Sequence, residues 1–296
     1  MRKYLQEYLK NYAYDAEAET TFLAAFDRIG TQALTELCDL YTDEPDFRFE
    51  VLTEKIEKIV SETGVNKFAA YFVGMVFLLR KLGEFYAKRG YPERVFDGAC
   101  RDLVCKYREC RAVKETAGIF AWDWYECFLK LRCFAIGRLQ FEMKGFRLPE
   151  YAKDGKTVQF DETVLSVHIP SSGRLLKEDC DRSYQAAVEF FSKYFADVFP
   201  KDYITFVCWS WLLYTRNSEI LPAGSNILTF MEKYDIIEIE EYSKEVSDLM
   251  ACERIFGIPD LNREIPQKTA MQKSVYAFMQ KGGLFGWGYG VFFLSK

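Results

Sequence analysis

The sequence predicts an α+β protein in which an all-helical N-terminal domain, residues 1–136, precedes a mixed β-sheet domain flanked by helices, residues 137–296. Three observations carry this. At 296 residues the chain is longer than one hydrophobic core usually organises, which favours two domains. Before Gly137 apolar residues recur at spacings of three and four, whereas after it short alternating runs are separated by turn residues. Between Thr163 and Trp209, strand, loop, helix and strand follow in the order of a sheet with a helix packed on it.

Composition narrows the class further. With 49% hydrophobic residues, 17% aromatic residues and a mean hydropathy of -0.16, the chain is a dense globular protein and not a disordered one. The net charge of -5 comes from 44 acidic and 39 basic residues without a basic block, which excludes nucleic acid as a partner class. Met1 to Glu7 carries charges where a signal peptide needs an apolar stretch. The apolar run Phe68 to Leu79 stops at Arg80-Lys81, too short for a bilayer, so a cytoplasmic protein without a membrane segment is expected. Nine cysteines without a secretion signal imply free thiols. Cys100, Cys105 and Cys110 are each about 140° apart on a helix, too scattered for tetrahedral zinc, and His168 is the only histidine, so no metal site is expected.

In the first half, Ala18 to Leu40 sets Phe22, Phe26, Ile29, Ala33, Leu34 and Leu37 on one stripe. Val51 to Val60 is a short amphipathic helix stopped by Gly64. Asn66 is an N-cap for the apolar helix running to Arg89, and Gly90-Tyr91-Pro92 breaks and restarts the chain. A last aromatic helix is expected from Ile119 to Phe134, and its Trp122, Trp124, Tyr125 and Phe128 read either as core or as the lining of a channel.

In the second half, Leu139 to Met143 alternates as a strand, Glu150 to Lys156 is a turn-rich connection carrying Asp154-Gly155, and Thr163 to Ile169 is a strand. The loop Pro170-Ser171-Ser172-Gly173 leads to a helix over Lys177 to Phe195, then to a strand at Tyr203 to Trp209. A helix near Asn226 to Lys233, a strand at Ile236 to Ile239, helices at Val246 to Phe256 and Lys268 to Gln280, and a strand at Gly288 to Leu294 complete the chain. The glycines at 282, 283, 286, 288 and 290 follow no strand, so they make no dinucleotide fingerprint and are expected to permit a twisted last strand.

The stretch Val164 to Leu175, leading into the helix with Tyr184 and Phe191, resembles the strand, pyrophosphate loop and helix of GNAT acyltransferases. Gly173 matches that family's loop glycine, while Pro170 and Leu175 stand where it has Gln or Arg and a small residue. Ser225 to Tyr234 is similar to the family's Asn-containing helix ending near Tyr-Glu-Lys, with Met231 at the tyrosine position. Through Gly137 to Glu142, Val167 to Pro170 and Ser210 to Leu213, nearly the whole chain resembles bacterial two-domain proteins with a helical N-terminal acyltransferase domain and a GNAT-like C-terminal domain. The resemblance implies an acyl-CoA-dependent N-acyltransferase that takes acetyl-CoA or another acyl-CoA as co-substrate and a small-molecule or peptide amine as acceptor. It also implies that CoA is held by Val167, Ile169, Ser171, Ser172, Gly173 and Arg174, with Ser210 and Asn226 contributing. The substitutions at Pro170, Leu175 and Met231 favour an alternative, a module that binds acyl-CoA or a protein partner without catalysis.

The implied reaction must deprotonate an ammonium, stabilise an oxyanion and protonate a thiolate. His168, at the end of a strand beside the loop, is a candidate base whose competing reading is an imidazole bonded to backbone. Glu142 is a second candidate base, the alternative being a solvated strand-face charge. Tyr234 is a candidate proton donor, and Cys208, among Phe206, Val207 and Trp209, reads as core.

Overall fold

The computed structural model describes residues 1–44 and 46–296. The first of its two units, Met1–Ala135, is built on α1 (Arg2–Asn11), α2 (Ala16–Ile29), α3 (Thr31–Asp39), α4 (Glu50–Thr63), α5 (Lys67–Lys88) and α6 (Glu93–Lys114). Side-chain caps decide where two of these begin. The Asp15 carboxylate accepts the Ala18 N–H at 2.8 Å and opens α2, and the Asn66 side chain accepts the Ala69 N–H at 3.1 Å and opens α5. Asn66→Ala is expected to cost about 1 kcal/mol in a thermal melt; an unchanged melting curve would show that tertiary packing alone starts the helix.

The stripe from Ala18 to Leu40 is divided. Gly30, at φ 81°, separates α2 from α3, while Phe22, Phe26, Ile29, Leu34 and Leu37 are buried as expected. Helix α5 is buried on almost every side between Ala69 and Leu79, which makes it the centre of this unit. Phe72 stacks on Phe22 of α2 with ring centroids 3.7 Å apart, and Tyr14 and Tyr107 meet the pair edge-on. None of the nine cysteines forms a disulfide, and Cys100, Cys105 and Cys110 are buried.

The aromatic helix expected from Ile119 to Phe134 does not form. The segment contains a 3-10 turn (Asp123–Tyr125), the single turn α7 (Glu126–Leu129), Leu131 at φ 53°, and then strand β1 (Cys133–Ile136). Its aromatics are anchored in different directions, so packing overrides periodicity. Trp122 Nε1 donates to Thr53 Oγ1 and Trp124 Nε1 to the buried Asp102 carboxylate, each at 2.9 Å. Tyr125 and Phe128 are fully buried.

The second unit, Ile136–Lys296, begins inside β1. It adds β2 (Leu139–Gly145), β3 (Glu150–Lys153), β4 (Lys156–Gln159), β5 (Thr163–His168), α8 (Lys177–Tyr194), β6 (Tyr203–Ser210), α9 (Asn217–Ile220), α10 (Asn226–Met231), β7 (Asp235–Glu241), α11 (Lys244–Met250), α12 (Ala270–Gln280) and β8 (Gly286–Ser295). The main sheet has the order β1-β2-β5-β6-β8-β7. The segment read as a turn-rich connection is in fact the hairpin β3-β4, closed by Asp154 and Gly155 with φ of 51° and 77°, the two positive values a tight hairpin turn requires. The helix expected to run to Phe256 passes into a wider π-turn at Ala251–Phe256.

Strand alternation sorts the sheet into two faces. Helix α8 covers one, where the Tyr184 ring packs against Phe141, Phe206 and Phe292. The other carries a second apolar cluster of Phe146, Val158, Val164, Val207, Tyr289 and Val291. Among the described residues, no helix is long and apolar enough to cross a membrane.

Candidate active site

The sheet opens at its centre. β2 and β5 pair antiparallel from Gln140↔His168 to Gly145↔Thr163, and β6 pairs with β8 along the whole of β6. Between them, the parallel ladder of β5 and β6 holds only Leu165↔Phe206 and Ser166↔Val207. Both strands continue past these pairs, β5 through Val167 and His168, β6 through Cys208, Trp209 and Ser210. Backbone groups of Val167 to Ile169 that face this gap lie beyond the last rung.

Register places Gln140, Glu142, Ser166 and His168 on the face opposite α8. There the two candidate bases are partners: His168 Nε2 lies 2.9 Å from Glu142 Oε2. Lys144 Nζ approaches the same carboxylate oxygen at 3.0 Å. Glu142 is 5% exposed, so it is not a solvated strand-face charge, and His168 meets a carboxylate. Burial resists ionisation of Glu142, but hydrogen bonds from His168 and Lys144 outweigh it and hold the carboxyl below its ordinary value of 4.5. An ionised Glu142 facing Nε2 fixes the imidazole's orientation and presents Nδ1 away from the carboxylate.

Tyr234 belongs to the other face. Its hydroxyl shares a hydrogen bond of 2.8 Å with that of Tyr184, and its ring packs on Phe292. Burial keeps its phenol protonated well above the ordinary tyrosine value. Cys208 is fully buried and burial pushes its thiol well up, consistent with core. The Ser210 hydroxyl accepts the Leu212 N–H at 3.2 Å and caps a 3-10 turn at Trp211–Leu213.

Residues 170–175 cross from the end of β5 to α8, with Ser171, Ser172, Gly173 and Arg174 exposed and Leu175 buried. Beside the loop lies a cavity of about 240 Å³ between α8 and α10, lined by Leu175, Lys177, Tyr184, Thr229 and Lys233 among others. Asn226 opens α10 behind its Ser225 cap and does not line this cavity. Near the start of α8, Asp179 pairs with Arg182 and Asp181 with Lys177.

Three features escaped the sequence. Arg138, in the turn before β2, reaches the carbonyls of Pro170, Gly173 and Arg174 at 2.9, 2.7 and 3.0 Å. In the sequence it stands within the stretch Gly137 to Glu142, with nothing to mark its contact with the loop. Trp209, 60% exposed, meets Trp287 edge-on at 4.8 Å, and the Arg147 guanidinium lies over both rings and over Tyr289 while pairing with Glu238. The glycines at 286, 288 and 290 share one face of β8 and admit Tyr214, the Leu213 carbonyl and Tyr234, a close-packing role.

A family model of the GNAT-like C-terminal domain matches residues 133–292. The chain belongs to this family. Among solved structures, the GNAT-like chain is similar to an acyltransferase in complex with decanoyl-CoA, at 22% identity and a TM-score of 0.69 over 97% of this chain and 86% of that one. It is also similar to an acyltransferase in complex with decanoyl-CoA and teicoplanin, at 18% identity and a TM-score of 0.66 over 98% of this chain and 99% of that one. These likenesses establish the fold over nearly the whole length. No curated protein matches the sequence.

Proposed function

We propose that this GNAT-like protein is an acyl-CoA-dependent N-acyltransferase acting on an amine. The observation that carries the reading is the gap between β5 and β6, which opens beside the Pro170 to Leu175 loop and has the Glu142–His168 pair on its rim. The loop and the N-terminus of α8 hold the CoA pyrophosphate through backbone amides, and the pantetheine arm and acyl chain enter the gap. The similar solved structures hold decanoyl-CoA, which supports a medium-chain acyl group.

In this mechanism His168 takes a proton from the acceptor ammonium, the amine nitrogen bonds to the thioester carbonyl carbon, and the carbon–sulfur bond breaks. The thiolate leaves as CoA and takes up a proton, for which Tyr234 is the candidate donor. Backbone N–H groups of Val167 to Ile169 stabilise the oxyanion, the loss of one such donor costing roughly 10²–10³ in rate. The acceptor lies against Trp209 and Trp287, on the same face as His168. One similar structure holds teicoplanin together with decanoyl-CoA, which supports a large acceptor. The expected setting is cytoplasmic.

Thermal unfolding with CoA, acetyl-CoA and decanoyl-CoA tests the reading. A ligand at one hundred times its dissociation constant adds about 2.7 kcal/mol of stability. No stabilisation by any of the three would overturn it. Binding without thiol release across an amine panel would select instead the non-catalytic acyl-CoA module that Met231 favours.

A further inference from the structure

Arg138 is bonded to the loop three times, and each bond uses a different nitrogen of its guanidinium: Nη1 to Pro170 O, Nη2 to Gly173 O and Nε to Arg174 O. A rigid, planar fork of donors suits this task, because it fixes the relative positions of its acceptors. Arg138 is itself held from behind. Its backbone N–H donates to Ser183 Oγ at 2.7 Å, and that hydroxyl donates to Asp179 O at 2.8 Å, near the start of α8. The loop and the helix that follows it are therefore tied to one turn.

The consequence lies in the peptide planes. In a trans peptide the carbonyl and the following N–H point in opposite directions, and among the described residues no peptide is cis. Carbonyls 170, 173 and 174 turn toward Arg138, so the N–H groups of Ser171, Arg174 and Leu175 turn away from it. Arg174 and Leu175 lie just ahead of α8, so an anion on their amides also meets the positive end of the helix. Gly173, at φ 142° with open space around its Cα, does not hold this conformation by itself.

We infer that Arg138 is a positioning residue for the phosphate-binding loop, drawing three carbonyls inward so that three amides face the CoA pyrophosphate. This rests on the reading of residues 170–175 as the pyrophosphate site. Arg138 touches the loop and not the reacting atoms, so its effect falls on cofactor affinity.

Calorimetry with two ligands tests it: CoA, and S-decanoyl-pantetheine, which carries the arm and acyl chain without the pyrophosphate. Arg138→Lys keeps the charge but loses the fork, and is expected to weaken CoA roughly tenfold or more, as for the loss of at least one hydrogen bond to a charged acceptor. S-decanoyl-pantetheine affinity is expected to stay unchanged. Arg138→Ala should weaken CoA at least as much, and the lysine variant answers the question if the alanine variant does not fold. Full CoA affinity in Arg138→Lys would overturn the inference, because charge and not geometry would then suffice. So would equal weakening of both ligands, the mark of a general structural defect. A wild-type protein that binds S-decanoyl-pantetheine but gains nothing from the pyrophosphate would overturn the pyrophosphate site itself, and the inference with it.

Discussion

His168→Ala is expected to lower the rate of acyl transfer by roughly 10²–10⁴-fold while leaving CoA affinity near that of the wild type. The split follows from geometry. His168 stands at the rim of the gap on the face opposite α8, whereas the proposed phosphate loop lies beyond the strand end, so removing the imidazole deletes the proposed base and spares the proposed cofactor site. Glu142→Gln should cost at least about tenfold in rate, because an amide does not hold the imidazole as an ionised carboxylate does. Thiol release with an amine acceptor reads both variants, and unchanged rates would remove the pair from the mechanism. The same carboxylate leaves a mark on stability. The folded value of Glu142 is depressed, so its contribution is fully present above the unfolded value of 4.5 and is lost as pH falls through the folded value. Wild type is therefore expected to lose stability in acid below about pH 4.5 more steeply than Glu142→Gln, while being the more stable of the two at neutral pH.

The contrast between local and long-range signals explains what could be read from the sequence. Periodicity located α5 and α8, and the Asn66 cap, because each depends on residues within one turn of the chain. The loop was legible from Gly173 after a strand and before a helix. Ile119 to Phe134 misled because its aromatic spacing mimics a helix while Trp122 and Trp124 are bonded to Thr53 and Asp102, residues 69 and 22 positions away. At the site, His168 and Glu142 were separately visible, but only the register Glu142↔Ser166 makes them neighbours instead of rival bases. Arg138 acts across 32 to 36 residues on backbone carbonyls, which carry no side-chain identity for a sequence pattern to detect.

Gly288→Ala is expected to destabilise the second unit by about 3 kcal/mol, at the upper end of what overpacking a core costs. A Cβ at 288 would stand 2.2 Å from the Leu213 carbonyl oxygen and 2.8 Å from its carbon, and backbone on that side has no rotamer with which to yield. Gly286 and Gly290 on the same face meet the Glu240 carbonyl and the Tyr234 Cβ at 2.2 and 2.7 Å, so the neighbouring positions offer no slack. Ser295→Ala, at the exposed end of the same strand, should stay within about 0.5 kcal/mol and serves as the control. A melting temperature for Gly288→Ala equal to that of the control would show that the 3-10 turn can retreat freely. The cost also reaches the site. Leu213 ends the turn capped by Ser210, the last residue of β6 on the far side of the gap, and Tyr234 packs against Gly290. Pushing Leu213 outward shifts that side of the gap while leaving the Arg138-bound loop in place. CoA binding in the surviving folded fraction should therefore fall less than in Arg138→Lys, because the proposed pyrophosphate site is intact and only the proposed channel for the arm is disturbed.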